Sequence, residues 1–127
     1  MNNIREFPVR VLVVDDESDS RTTLTALLEH EGHEVRGLDN GTEVLAAMNA
    51  FRPDAVLLDL KLPDTSGFAL AQEIRRTHGK RPLLVAITGR YKERAGKVLS
   101  EIVGFDHYLV KPCETQELLG LLSKLAA

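Results

Sequence analysis

The chain reads as an α/β domain built on a five-stranded parallel sheet, and three observations predict it. Short apolar runs without polar interruption recur along its 127 residues. Each is followed by a stretch with helical apolar spacing. Three of the runs end abruptly in a charged or hydroxyl residue: Asp15-Asp16, Asp59 and Thr88. Runs of this length suit strands buried on both faces of a parallel sheet. Their alternation with helices implies right-handed crossovers and helical cover on both sides.

In order, Val9–Val14 is the first strand. Ser18 or Asp19 can cap the helix that follows, whose stripe is Leu24, Leu27 and Leu28 before Gly32 stops it. His33–Leu38 is a short, polar strand suited to an edge. Asn40-Gly41 turns the chain into a helix carrying Val44, Leu45 and Met48. Ala55–Leu60 is the central strand, bounded by Pro53 and Pro63, with Asp59 at its end. A helix marked by Phe68, Ala71 and Ile74 closes near Gly79, and Leu83–Ile87 runs into Thr88-Gly89. Tyr91–Val103 reads as a weaker helix with Val98, Leu99 and Ile102 on one face. Asp106–Val110 is the fifth strand and meets Lys111-Pro112. A last helix over about Glu114–Leu125 repeats leucine at 118, 121, 122 and 125. No repeat, linker or low-complexity tract divides the chain, so residues 1–127 are expected to form one domain with a core over about 9–125.

Composition narrows the function. A hydrophobic content of 43% supports one core, and a net charge of −3 gives no electrostatic case for nucleic acid. The single cysteine, Cys113, excludes an internal disulfide and a zinc cluster and fits a reducing compartment. No apolar run reaches the ~20 residues of a membrane helix, and residues 1–8 lack a signal-peptide core. The expectation is a cytoplasmic, soluble domain without direct membrane contact.

Strands of a parallel sheet point the same way, so Asp15, Asp16, Asp59, Thr88 and Lys111 should gather at one edge, where open α/β sheets place their ligands. Clustered carboxylates repel unless a cation joins them. Oxygen donors without His or Cys select a hard ion such as Mg²⁺. A divalent cation, an ammonium and a hydroxyl around one carboxylate suit in-line attack on a phosphoryl group, with Asp59 as the nucleophile. Each residue alone has a plainer reading. An Asp pair favours a helix N-terminus, Thr88 could be an ordinary strand-end hydroxyl, and Tyr108 could simply pack. The basic residues Arg90, Lys92, Arg94 and Lys97 read as a solvated helix face, and the four histidines lack metal-ligand spacing.

Together, VLVVDDE, VLLDLKLPDTSG, the Ile87-Thr88 pair before Gly89, and GFDHYLVKP resemble the receiver domain of two-component response regulators, the CheY-like superfamily. The resemblance spans Val9–Leu125. It implies a flavodoxin-like (βα)5 doubly wound sandwich with strand order 2-1-3-4-5. It implies that Asp59 accepts phosphate from a histidine kinase or phosphotransfer protein and that the domain then signals to an output domain or target. In that family pattern Asp15, Asp16, Asp59 and the Lys61 backbone carbonyl hold Mg²⁺, with Mn²⁺ as the alternative ion. Lys111 pairs with the phosphoryl oxygens, the Lys111-Pro112 bond is cis, and Thr88 with Tyr108 forms the switch. Such a domain is a switch that catalyses only its own phosphorylation and dephosphorylation. The GFDHYLVKP stretch has the look of receivers in hybrid sensor kinases, which would make the chain the cytoplasmic part of a membrane-anchored protein.

Three rivals stand beside it. A haloacid-dehalogenase-like phosphohydrolase needs an acid two residues beyond the nucleophile, where this chain has Lys61. A flavin-binding module needs a hydroxyl- and glycine-rich phosphate loop after the first strand, where this chain has Asp15-Asp16-Glu17. A receiver-like interaction domain that works without phosphorylation is the third, weakened because no key group is missing.

Overall fold

Apolar residues at successive strand positions point to opposite faces of a sheet, and here both faces are covered. The computed structural model describes residues 9–89, 103–112 and 114–126. In chain order the elements are β1 (Arg10–Val14), α1 (Ser18–His30), β2 (Glu34–Leu38), α2 (Val44–Phe51), β3 (Ala55–Asp59), α3 (Gly67–His78), β4 (Leu83–Thr88), β5 (His107–Val110) and α4 (Thr115–Ser123). A short 3₁₀ turn over Lys124–Ala126 follows. The strands form one parallel sheet in the order β2-β1-β3-β4-β5.

The sheet divides the core in two. Leu12, Val14, Val56, Leu58, Leu84 and Ala86 pack with Val44 and Met48 of α2 and Leu70, Ala71 and Ile74 of α3. The alternate positions Val11, Val13, Leu57, Val85, Ile87 and Leu109 pack with Leu24 and Leu28 of α1 and Leu118 and Leu122 of α4. Every residue of β3 is buried, as its unbroken apolar run requires of a central strand. β2 is mostly exposed at its edge. The turn from β3 into α3 needs glycine, since a Cβ on Gly67 would lie 2.5 Å from the Asp59 carbonyl oxygen.

The order and the two-sided cover match the sequence expectation, while several boundaries shift. Neither Ser18 nor Asp19 caps α1. Glu17 occupies the cap position without a side-chain cap bond; its amide donates to the Asp15 carboxylate at 3.0 Å, and its own carboxylate is turned toward Lys111 at 3.6 Å. β1, β2 and β5 each begin one residue later than read, β3 ends one residue earlier, at Asp59, and the last helix ends at Ser123. The Lys111-Pro112 peptide is cis, as the resemblance implied. The helix expected over Tyr91–Val103 lies outside the described residues except for Val103, as do Arg90, Lys92, Arg94, Lys97 and Cys113.

At the edge opposite the strand tips, Arg75 of α3 joins three segments. Its Nε donates to the Gly104 carbonyl at 2.8 Å, and Nη1 donates to the carbonyls of Gly79 at 3.0 Å and Pro82 at 2.8 Å. Its Nη2 pairs with Asp106 at 2.7 Å, whose carboxylate also accepts the Leu84 amide. This anchors the starts of β4 and β5. Truncating Arg75 leaves partly buried carbonyls without their donors and takes the cation from Asp106, so Arg75→Ala should cost about 2–3 kcal/mol. Urea denaturation should show a lower midpoint at an unchanged slope. A loss below about 0.5 kcal/mol would mean that water replaces the clamp.

Candidate functional site

Strand register sets the site. β1 pairs with β3 up to Val14–Leu58, and Asp59 lies beside Ile87, so the next positions, Asp15 and Thr88, emerge at the same edge. β4 pairs with β5 up to Thr88–Val110, which delivers Lys111 alongside. Its amide donates to the Thr88 carbonyl at 2.9 Å. Carboxylate oxygens of Asp15, Asp16 and Asp59 lie within 4.8 Å of one another. Asp15 and Asp59 are 2% and 7% exposed, whereas Asp16 is exposed.

Lys111 is the cation among them. Its Nζ lies 2.8 Å from Asp15, 3.2 Å from Asp59 and 3.6 Å from Glu17. The two buried acids respond in opposite ways. Burial alone would raise the Asp15 carboxyl, but hydrogen bonds from Lys111, the Ser20 hydroxyl and the Glu17 amide outweigh it and hold the group below the usual range. Burial pushes the Asp59 carboxyl up, the Asp15 charge adds to that, and the Lys61 amide and Lys111 compensate only in part. Burial opposes the charge on Lys111, yet its bond to Asp15 and the charges of Asp59 and Asp15 hold its pKa above the ordinary lysine value. Environments that drive two acids apart in this way mark candidate chemistry.

The remaining predicted residues are arranged around this group. Thr88 is buried at the end of β4. Tyr108 is half-buried in β5, in register with Ala86, and packs against the core on the α2–α3 side. Lys61 is exposed, and its amide donates to Asp59 Oδ1 at 3.1 Å. The sequence reading assigned no role to Glu17, Ser20 or Arg21, whose guanidinium donates to the Asp15 carbonyl at 2.8 Å. The DDE run was the one signal that pointed to Glu17. A groove of about 450 Å³ opens beside Lys111 and Pro112 and runs along α1 past Glu17, Ser20 and Leu24.

The pH response follows from the directions. Asp15, with a lowered folded-state pKa, contributes stability above its unfolded pKa that is lost as pH falls through the folded value. Asp59, with a raised pKa, carries a penalty when ionised, and that penalty is relieved as pH falls through its folded value. In chelator-treated buffer Asp59→Asn should therefore melt higher than the parent at neutral pH. The difference should shrink as the pH approaches the raised pKa of Asp59. A variant that melts at or below the parent at neutral pH would show that Lys111 already compensates the Asp59 charge in full.

The comparisons with known proteins agree with this geometry. The family model described as the response regulator receiver domain matches residues 11–123. Response regulator MprA of Mycolicibacterium vanbaalenii is 36% identical over 119 residues, which cover 94% of this chain and 51% of MprA. Protein PilH of Pseudomonas aeruginosa is 30% identical over 118 residues, 93% of this chain and 98% of PilH. The chain thus spans about half the length of MprA and nearly all of PilH. A CheY-like receiver domain protein from Methanospirillum hungatei superposes with a TM-score of 0.86 at 28% identity, covering 94% of each chain. Three acids and a lysine converge at the strand tips, and sequence and fold agree across nearly the whole chain. It belongs to the family of response regulator receiver domains.

Proposed function

We propose that Asp59 is the phosphoacceptor, taking a phosphoryl group from the phosphohistidine of a sensor histidine kinase or phosphotransfer protein. The observation that carries this reading is the buried Asp59 carboxylate, facing Asp15 and Asp16 with the Lys111 ammonium 3.2 Å away. A carboxylate oxygen of Asp59 attacks phosphorus in line, the P–N bond breaks, and its electron pair leaves with the imidazole. Burial raises the basicity of Asp59, and Lys111 offers a charge-assisted donor to the phosphoryl oxygens. The groove along α1 gives a donor protein room beside Lys111.

The donor set fits a hard divalent cation, because three carboxylates converge and no His or Cys joins them. Asp15, Asp16 and Asp59, with the Lys61 backbone carbonyl, would hold Mg²⁺ or Mn²⁺, which when bound neutralises charge on the phosphoryl oxygens. In this reading the Thr88 hydroxyl then moves toward the phosphoryl group and Tyr108 turns into the vacated space, shifting a two-state element toward its signalling form. The catalysis is confined to the chain's own phosphorylation and dephosphorylation. Lys61 and Arg90, each two residues beyond a key group, are cations that cannot activate water as bases, which makes self-hydrolysis slow; Arg90 lies outside the described residues.

Residues 1–127 then act as one signalling domain in the cytoplasm, passing the change to an output domain or target without touching nucleic acid or membrane. No helix among the described residues is long and apolar enough to cross a membrane. A haloacid-dehalogenase-like hydrolase is not favoured, because Lys61 stands where its acid/base carboxylate belongs.

Incubation with acetyl phosphate and Mg²⁺ should label the parent chain, and Asp59→Asn should abolish the label. Mg²⁺ should also raise the melting temperature of the parent by binding the folded state, and Asp16→Ala should remove that response. Phosphate stably trapped on another residue with Asp59 intact would reject the acceptor. An unchanged Mg²⁺ response in Asp16→Ala would reject Asp16 as a ligand.

A further inference from the structure

We propose that Asp64 is a positioning residue for the acidic site, tying the β3–α3 loop to the turn before α2 and so setting where the Lys61 main chain stands beside Asp59. The proposal rests on the metal-dependent reading given above. Asp64 Oδ1 accepts the Gly41 amide at 2.8 Å, and Oδ2 accepts the Thr42 amide at 2.8 Å together with the Thr42 hydroxyl. Both carboxylate oxygens are therefore engaged by groups 22 or 23 residues away, which fixes the orientation of the side chain. Those bonds, the Thr42 hydroxyl first, hold its pKa below the usual carboxylate range, so the tether carries a full charge at neutral pH.

The junction has no slack. Gly41 is buried, and a Cβ there would lie 2.3 Å from Thr65 Cγ2 and 2.9 Å from Leu70 Cδ1. The loop is also closed at its base by an antiparallel bridge between Lys61 and Ser66 and by the Gly67 amide on the Leu60 carbonyl at 2.9 Å. Within this small ring the Lys61 amide orients Asp59 Oδ1 at 3.1 Å. The tip of the ring is thus pinned by Asp64 and its base is pinned at Asp59. A shift at one reaches the other through few bonds, and small misplacements of a reacting group cost rate steeply. The turn before α2 is also closed locally by Asn40, whose Oδ1 accepts the Glu43 amide at 3.1 Å, and Asp64 is what ties that turn to the β3–α3 loop.

The test is calorimetric titration of metal-free protein with Mg²⁺, paired with amide hydrogen exchange at Lys61 before metal is added. Asp64→Ala should weaken Mg²⁺ binding by about threefold or more, because the loop that carries the Lys61 carbonyl loses its outer tether. It should also speed Lys61 exchange while circular dichroism stays native. Thr42→Val keeps both amide bonds and should show a smaller shift in the same direction, which serves if Asp64→Ala does not fold. Unchanged Mg²⁺ affinity and unchanged Lys61 protection in Asp64→Ala, even with a lower melting temperature, would make Asp64 only a cap for α2 and overturn the proposal. A parent chain that takes up no Mg²⁺ would instead overturn the metal site, and the proposal with it; the parent's own titration tells these failures apart.

Discussion

The edge of the sheet depends on one ammonium group. A parallel sheet directs the carboxyl ends of its strands to the same side, and in this chain β1 and β3 both end in aspartate. Two buried carboxylates so close would repel and lose hydration, and the penalty would fall on the very strands that form the core. Lys111 meets both, at 2.8 Å and 3.2 Å. It reaches them because β5 pairs with β4 up to Thr88 and the Lys111 amide continues that pairing. Lys111 is shared unequally. Asp15 has further donors in Ser20 and the Glu17 amide and stays ionised readily, while Asp59 is left the more basic of the two. One cation thus makes the cluster compatible with folding and leaves Asp59 the more basic of the two carboxylates.

The scaffold beneath the cluster has little freedom. β3 is buried along its whole length between two helical layers, so Asp59 cannot move without disturbing both halves of the core. The turn beyond it is fixed by the close approach of Gly67 to the Asp59 carbonyl. Motion is better accommodated at β5, where His107, Tyr108 and Val110 are only partly buried and Leu109 alone is buried. A fully buried strand tip beside a less buried outer strand is the arrangement that the proposed switch would use.

Much of this was legible in the sequence because it is written locally. The apolar runs of β1, β3 and β4 announce buried strands, and an Asp or Thr at the end of such a run has few other reasons to be there. The topology followed from alternation, and the grouping of Asp15, Asp59 and Lys111 followed from topology. The sequence did not reveal contacts made across long separations. Arg75 meets Asp106 across 31 residues, and Asp64 meets Thr42 across 22. No periodicity links such partners, and each residue alone reads as ordinary surface charge. The start of α1 was misread for a related reason: Ser18 and Asp19 have capping side chains, but Glu17 takes the cap position with its carboxylate turned to Lys111, far along the chain.

In the proposed reading the carboxylate of Asp59, backed by its neighbouring acids and Lys111, forms a pocket for a phosphoryl group. Fluorine NMR of the metal-free chain titrated with beryllofluoride, with and without Mg²⁺, addresses it most directly, because this mimic reports occupancy without needing the cognate kinase. Bound-fluoride resonances should appear only when Mg²⁺ is present and vanish in Asp59→Asn. Bound resonances that persist in Asp59→Asn, or that form equally well without a divalent cation, would contradict it.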